Sequence, residues 1–250
     1  MSNASAESFD CVAVGGAARA AAIAGLLLPQ RCELCVERTG GALLCAACTE
    51  ALPRVVAPCP VCALPSARNA VCGACLALPP PYVATVAAVA YAFPVDRLLQ
   101  RIKYGGRIAL AQWAGAALAA AVRDTLASRR SGIRPDCIVA LPLAAARQRD
   151  RGFNQAREIA LRVASDTGLP LAAPLARITA GPPQTALPWT ERRRNVRGAF
   201  AVRAPVRGGR IALVDDVMTT GATLAEASRA LLAAGADRVE CWVVARTLPP

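Results

Sequence analysis

The apolar positions fall into three regimes along the chain. Ala20 to Gln30 is a short apolar run bracketed by Arg19 and Arg31. It predicts a helix packed on the neighbouring domain, because crossing a bilayer takes ~20 apolar residues. Residues 32–76 lose apolar periodicity, and cysteine, glycine and proline recur instead. Leu78-Pro79-Pro80-Pro81 then reads as a semi-rigid linker. From about residue 82 helices and buried strands alternate. Val83 to Phe93 is apolar and β-rich, and Val95 to Tyr104 has helical spacing ended by Gly105-Gly106. Ile108 to Ser128 is an alanine-rich helix, Cys137 to Leu141 a short strand ended by Pro142, and Asn154 to Thr167 an amphipathic helix ended by Gly168. Ile211 to Val214 is a second buried strand, Gly221 to Ala234 a helix, and Val239 to Ala245 a third strand. Continuous apolar strands separated by helices predict an α/β fold, with a twisted, mostly parallel sheet covered on both faces.

Composition narrows the chemistry. The chain has 250 residues, 55% of them hydrophobic, which excludes a disordered chain. Histidine is absent, so no Ser-His-Asp triad, Cys-His pair or His-ligated metal site can be built from this chain alone. The net charge of +12 predicts polyanionic partners: nucleic acid, phosphorylated metabolites or an anionic membrane surface. Lys103 is the only lysine. Arginines 177, 192, 193, 194, 197, 203, 207 and 210 stand against one acid, Glu191. Within that stretch, residues 179–200 form the kind of long polar excursion that compact folds keep for function.

The cysteines come in pairs. Cys32/Cys35, Cys45/Cys48, Cys59/Cys62 and Cys72/Cys75 are four Cys-x-x-Cys turns. Two thiolates at this spacing point at one ion, a second turn completes a tetrahedron, and zinc suits four soft ligands. The spacing therefore predicts two structural zinc sites. They are either sequential (Cys32, Cys35, Cys45, Cys48 and then Cys59, Cys62, Cys72, Cys75) or interleaved. A disulfide framework would need an oxidising compartment, for which no signal peptide speaks. The expected compartment is the cytoplasm. An iron–sulfur cluster would use the same ligand type. Cys137 and Cys241 lie in apolar runs and read as buried fillers.

The second informative stretch runs from Ile211 to Thr223. A buried strand delivers Asp215 and Asp216 to its carboxyl end, where open α/β sheets place ligands. Thr219, Thr220, Gly221, Ala222 and Thr223 come next as the small, hydroxyl-rich start of a helix. Amides at a helix N-terminus cradle phosphate, and Gly221 lets backbone approach it. Carboxylates suit neighbouring hydroxyls. The implied ligand is a sugar phosphate with a free diol.

This segment resembles the signature of type I phosphoribosyltransferases, which bind 5-phosphoribosyl-1-pyrophosphate (PRPP). Further residues resemble the ComF family of competence-related proteins: Ile102-Lys103-Tyr104, Arg151-Gly152-Phe153-Asn154-Gln155, Gln184, and Arg193-Arg194-Asn195-Val196-Arg197-Gly198-Ala199-Phe200. That family joins a Cys-rich zinc module to a phosphoribosyltransferase domain, and the likeness runs from about residue 26 to 246. It implies a helical lead-in over 1–31, a double zinc ribbon over 32–76, a linker and first hood strand over 77–94, and a phosphoribosyltransferase-like domain over 95–250. It implies ribose contact and catalysis at Asp215 and Asp216, and PRPP binding along Val217, Met218, Thr219, Thr220, Gly221, Ala222 and Thr223. It places pyrophosphate on the turn from Leu141 to Arg147, including Leu143. Arg147, Arg149 and Arg151 are candidates to neutralise it, with Arg151 the best, and Lys103 is a further phosphate contact. Asn154 and Gln155 read either as site residues or as caps of the next helix. Magnesium is expected with PRPP. The family tends to read Pro-Val-Pro-Leu-His after the first strand; here Ala144 stands at the histidine, so no imidazole role transfers. Two activities fit. One is phosphoribosyl transfer with pyrophosphate release, to an acceptor that the sequence does not specify. The other is PRPP-responsive handling of single-stranded DNA with DNA-uptake proteins. No aromatic interleaves the arginines of residues 32–76, which weakens base stacking by that module.

Overall fold

A computed structural model describes residues 30–129, 132–178 and 196–249. The helical lead-in and most of the excursion over 179–200 lie outside the described residues. Five strands form one sheet in the order β1-β7-β6-β2-β3, and every neighbouring pair is parallel. They are β1 Thr85–Ala90, β2 Cys137–Ala140, β3 Leu171–Ala172, β6 Arg210–Met218 and β7 Arg238–Arg246. A separate antiparallel pair joins β4 Leu175–Arg177 to β5 Phe200–Val202.

Both faces of the sheet are buried because the central stretches of the strands are apolar on both sides. Ile211, Leu213, Val239, Cys241 and Val243 face one core, and Ala212, Val214, Trp242 and Val244 face the other. That is the two-residue period of a pleated strand. Helix α3 (Val95–Gly105) buries Val95, Leu98, Leu99 and Ile102 on one stripe and ends at Gly106, with φ of 60°. Helices α4 (Ile108–Ser128) and α6 (Gln155–Thr167) join it on that face. They cross closely at Gly115, where a Cβ would stand 2.6 Å from Cβ of Arg162. Helix α7 (Ala222–Ala233) covers the opposite face with Leu224, Ala227 and Leu231.

The strand expected within residues 77–94 is β1, and it forms the edge of the main sheet, paired with β7 from Thr85↔Cys241 to Ala90↔Arg246. Two features depart from the sequence pattern. β6 runs on to Met218, so Asp215 and Asp216 lie inside a strand rather than after it. A short helix, α5 (Ala145–Arg151), occupies ground expected to be turn. No described helix is long and apolar enough to cross a membrane.

The N-terminal module holds two short helices, α1 (Ala46–Glu50) and α2 (Gly73–Ala77). Its second half repeats the first. Arg31↔Arg38 and Pro58↔Pro65 are matching antiparallel bridges, and Val36 and Ala63 take the same left-handed turn after a Cys-x-x-Cys.

Candidate functional site

The sheet's topology creates the site. From β2 the chain moves outward to β3, and from β6 it moves the other way to β7, so β2 and β6 flank the point where winding reverses. Open sheets gape at the carboxyl end of such a point. A cavity of about 710 Å³ lies there, walled by residues just past β1 (Tyr91), β2 (Leu141 to Leu143) and β7 (Thr247), and by the end of β6.

Of the expected site residues, Lys103, Leu143, Arg147, Arg151, Asp215, Asp216, Val217, Met218, Thr219, Gly221, Ala222 and Thr223 line this cavity. Thr220 does not. Its hydroxyl accepts from the amide of Ala222 at 3.2 Å and shapes the loop from within. Helix α5 explains the arginines. Arg147 and Arg151 are one helical turn apart and share a face, while Arg149 is turned away from the cavity wall. Asn154 caps α6, accepting from Ala156 N at 3.0 Å, and donates to the carbonyl of Leu141 at 3.1 Å. It thereby anchors the turn at the end of β2. Its neighbour Gln155 lines the cavity, and its buried Oε1 has no hydrogen-bond partner among the described residues.

Sequence reasoning missed Tyr91, Tyr104, Asp150, Arg177 and Thr247 on the wall. Tyr104 stands in the Ile102-Lys103-Tyr104 match without having been assigned to the site, and no local motif marks the other four; the fold brings the five in from separate elements. Arg151 lies 5.6 Å from the centre of the Tyr104 ring, and Arg177 lies 5.6 Å from that of Phe200, both cation–π distances.

The acidic pair is already engaged. Lys103 Nζ stands 2.5 Å from Asp216 Oδ2, a close ion pair. Burial pulls the Lys103 pKa down, but Asp216 outweighs it and the net displacement is upward. Burial likewise raises Asp216, and Lys103 overrides it, so this carboxyl stays below its ordinary range. Asp215 is pushed well above the ordinary range by burial first and by the adjacent Asp216 carboxylate second. Two neighbouring carboxyls thus carry separated proton affinities, as in sites where one is ionised and its neighbour holds a proton. Beyond them, Gly221 takes φ of 77° and precedes α7, so the N-terminus of that helix opens on the same cavity.

The eight cysteines form two sequential sets, Cys32/Cys35/Cys45/Cys48 and Cys59/Cys62/Cys72/Cys75, with all sulfurs of a set within 4.8 Å of one another. The interleaved pairing is excluded. Four thiolates ~2.3 Å from zinc stand ~3.8 Å apart along a tetrahedron edge. Cys35 and Cys45 sulfurs are 3.7 Å apart, and those of Cys62 and Cys72 are 3.6 Å apart. A disulfide would need ~2.05 Å. Backbone amides prepare the ligands: Cys45 N donates to Cys32 Sγ at 3.4 Å, and Cys72 N to Cys59 Sγ at 3.3 Å. Burial raises both thiols, but such amides bring Cys32 down to about 6 and Cys59 to about 7. The donor set fits zinc, with no position left open for catalysis.

A family model described as a double zinc ribbon domain matches residues 23–76, and one described as a phosphoribosyl transferase domain matches 150–248. The DNA utilization protein YhgH of Salmonella typhimurium is 37% identical over 232 residues, covering 89% of this chain and 100% of that protein. The protein of the same name in Escherichia coli K12 is 34% identical over 235 residues, with the same coverage. Competence protein F of Haemophilus influenzae is 33% identical over 181 residues, 70% of this chain and 78% of its own. With two cysteine knuckles ahead of a parallel sheet, and with identity above 30% over most or all of these relatives' length, the chain belongs to the competence protein F (ComF) family.

Proposed function

We propose that this protein binds PRPP in the cavity at the carboxyl ends of β2 and β6, and that it transfers the phosphoribosyl group with release of pyrophosphate. One observation carries the reading: the Asp215–Asp216 doublet, the start of α7 and the Arg147–Arg151 face of α5 all line one cavity. The parts match the ligand. Asp215 and Asp216 accept from the ribose hydroxyls. Amides of residues 219–223 take the 5′-phosphate. Arg147 and Arg151 take the pyrophosphate, whose oxygens suit guanidinium forks.

As the glycosidic carbon–oxygen bond breaks, the ribose gains oxocarbenium character and the pyrophosphate takes the electron pair. Arg147 and Arg151 neutralise that departing charge. Lys103 must leave Asp216 for the hydroxyls to dock, and its ammonium is then free for phosphate oxygens. The carboxylates on the cavity wall are hard oxygen donors of the kind magnesium accepts, and magnesium arriving with PRPP supplies further neutralisation of the leaving group.

Calorimetry with PRPP tests the reading. Asp215→Asn combined with Asp216→Asn is expected to abolish binding while both zinc ions are retained. Undiminished affinity in that double variant refutes the ribose assignment.

A second reading treats PRPP as an effector of a DNA-handling factor in the cytoplasm. The names of the relatives and the charge of +12 favour it. Pyrophosphate release, screened against nucleobases and single-stranded DNA, separates the two: turnover with any acceptor supports transfer, and salt-dependent DNA binding without turnover supports the second.

A further inference from the structure

The two cysteine knuckles brace different walls of the cavity. In the first, Glu33 pairs with Arg101 at 2.6 Å and with Arg107. These arginines flank Lys103 at the end of α3. The second knuckle reaches the wall at the end of β6 through Arg246.

Arg246 ends β7 and is only 3% exposed. Its Nε donates to the carbonyl of Cys62, a zinc ligand, at 2.8 Å. Its Nη1 donates to the carbonyl of Met218 at 2.8 Å, to that of Thr247 at 3.0 Å, and to that of Thr219. Met218 and Thr219 open the loop that leads into α7. Tyr82 supports the same loop: a Cβ on Gly221 would stand 2.9 Å from its hydroxyl. Loop and knuckle are therefore joined by a planar group with donors on two edges, which fixes a distance and an angle rather than a mere contact.

Charge makes the joint specific. A buried guanidinium needs a counter-charge, yet the four acceptors of Arg246 among the described residues are neutral carbonyls. Four thiolates around a divalent ion keep a net negative charge, so the filled second site supplies what the carbonyls lack.

We propose that Arg246 is a positioning residue for the phosphate loop, and that it couples the loop's geometry to metal occupancy of the Cys59/Cys62/Cys72/Cys75 site. The loss of phosphate affinity rests on the phosphoribosyl reading; the coupling itself does not. Arg246→Met removes the fork, and Arg246→Lys keeps the charge but cannot span Cys62 and Met218 together.

The test uses the full chain carrying zinc, with ribose 5-phosphate and inorganic pyrophosphate as separate calorimetric probes and hydrogen exchange of residues 219–223 as a readout independent of ligand. Both Arg246 variants are expected to keep both zinc ions and to exchange faster at 219–223. Each should bind ribose 5-phosphate about tenfold or more weakly, the scale of a lost charge-assisted hydrogen bond. Pyrophosphate affinity should hold, because Arg147 and Arg151 are untouched. Cys72→Ser should quicken exchange at 219–223, and Cys45→Ser should not; this comparison decides if Arg246→Met fails to fold. Equal loss of both probes, full rescue by lysine, or unchanged loop exchange overturns the proposal. A native chain that binds neither probe sinks the phosphoribosyl reading, and the exchange data then judge the coupling alone.

Discussion

Lys103 and Asp216 offer the sharpest test of the site's electrostatics. Lys103→Met strips the partner from a carboxylate whose side chain is 8% exposed. Breaking a buried pair from one side costs about 3–5 kcal/mol. Water reaches Lys103, 23% exposed, so the lower figure, about 3 kcal/mol, applies. In a chain of this size each kcal/mol moves Tm by about 2–4 °C, so the variant should melt about 6–12 °C lower. Asp216→Asn should cost less, about 1 kcal/mol, because Lys103 already feels Asp215 and can pair with it. The double variant holds no stranded lysine or Asp216 carboxylate and should also lose only about 1 kcal/mol. Thermal unfolding of all four proteins at pH 7, zinc retained, gives the cycle. A double variant that melts lower by the sum of its parts refutes the ion pair as the source of the cost.

Asp215 titrates the other way. Its pKa is raised in the folded chain, so its contribution is present below the unfolded value and lost as pH rises through the folded one. Asp215→Asn should therefore raise Tm over the native chain, increasingly so from about pH 4 upward; a gain independent of pH opposes this. PRPP affinity of the native chain should rise as pH passes the raised folded value and Asp215 loses its proton, and calorimetry with the asparagine variant should lose that rise. Gly221→Ala forces a left-handed residue, at about 1–2 kcal/mol, and sets its Cβ 2.7 Å from Cε of Met218. It should weaken PRPP binding more than it lowers Tm, and native affinity would contradict the loop's role. Cys32→Ser should leave one zinc per chain by elemental analysis; two retained would contradict the ligand assignment.

The sequence by itself determined what local spacing can carry. Cys-x-x-Cys pairs announce four-thiolate sites because two sulfurs on one turn meet one ion. Apolar runs such as Ile211 to Val214 announce buried strands, because only a sheet covered on both faces has no polar side. Asp215, Asp216 and the threonines after them stand together because strand end and helix start are contiguous. The tertiary structure decided everything that depends on which segments become neighbours. The cysteines partition sequentially because each knuckle closes on its own next turn. Arg147 and Arg151, not Arg149, reach the cavity because Ala145–Arg151 winds into a helix. Lys103 finds Asp216, and Tyr91, Tyr104 and Arg177 join the wall, only because β1, α3 and β4 are delivered to one end of the sheet. Arg246 had no motif at all. Its place between a metal ligand and a phosphate loop arises from strand order, which sets β7 between β1 and β6, and hydrophobic spacing along the chain carries no record of that order.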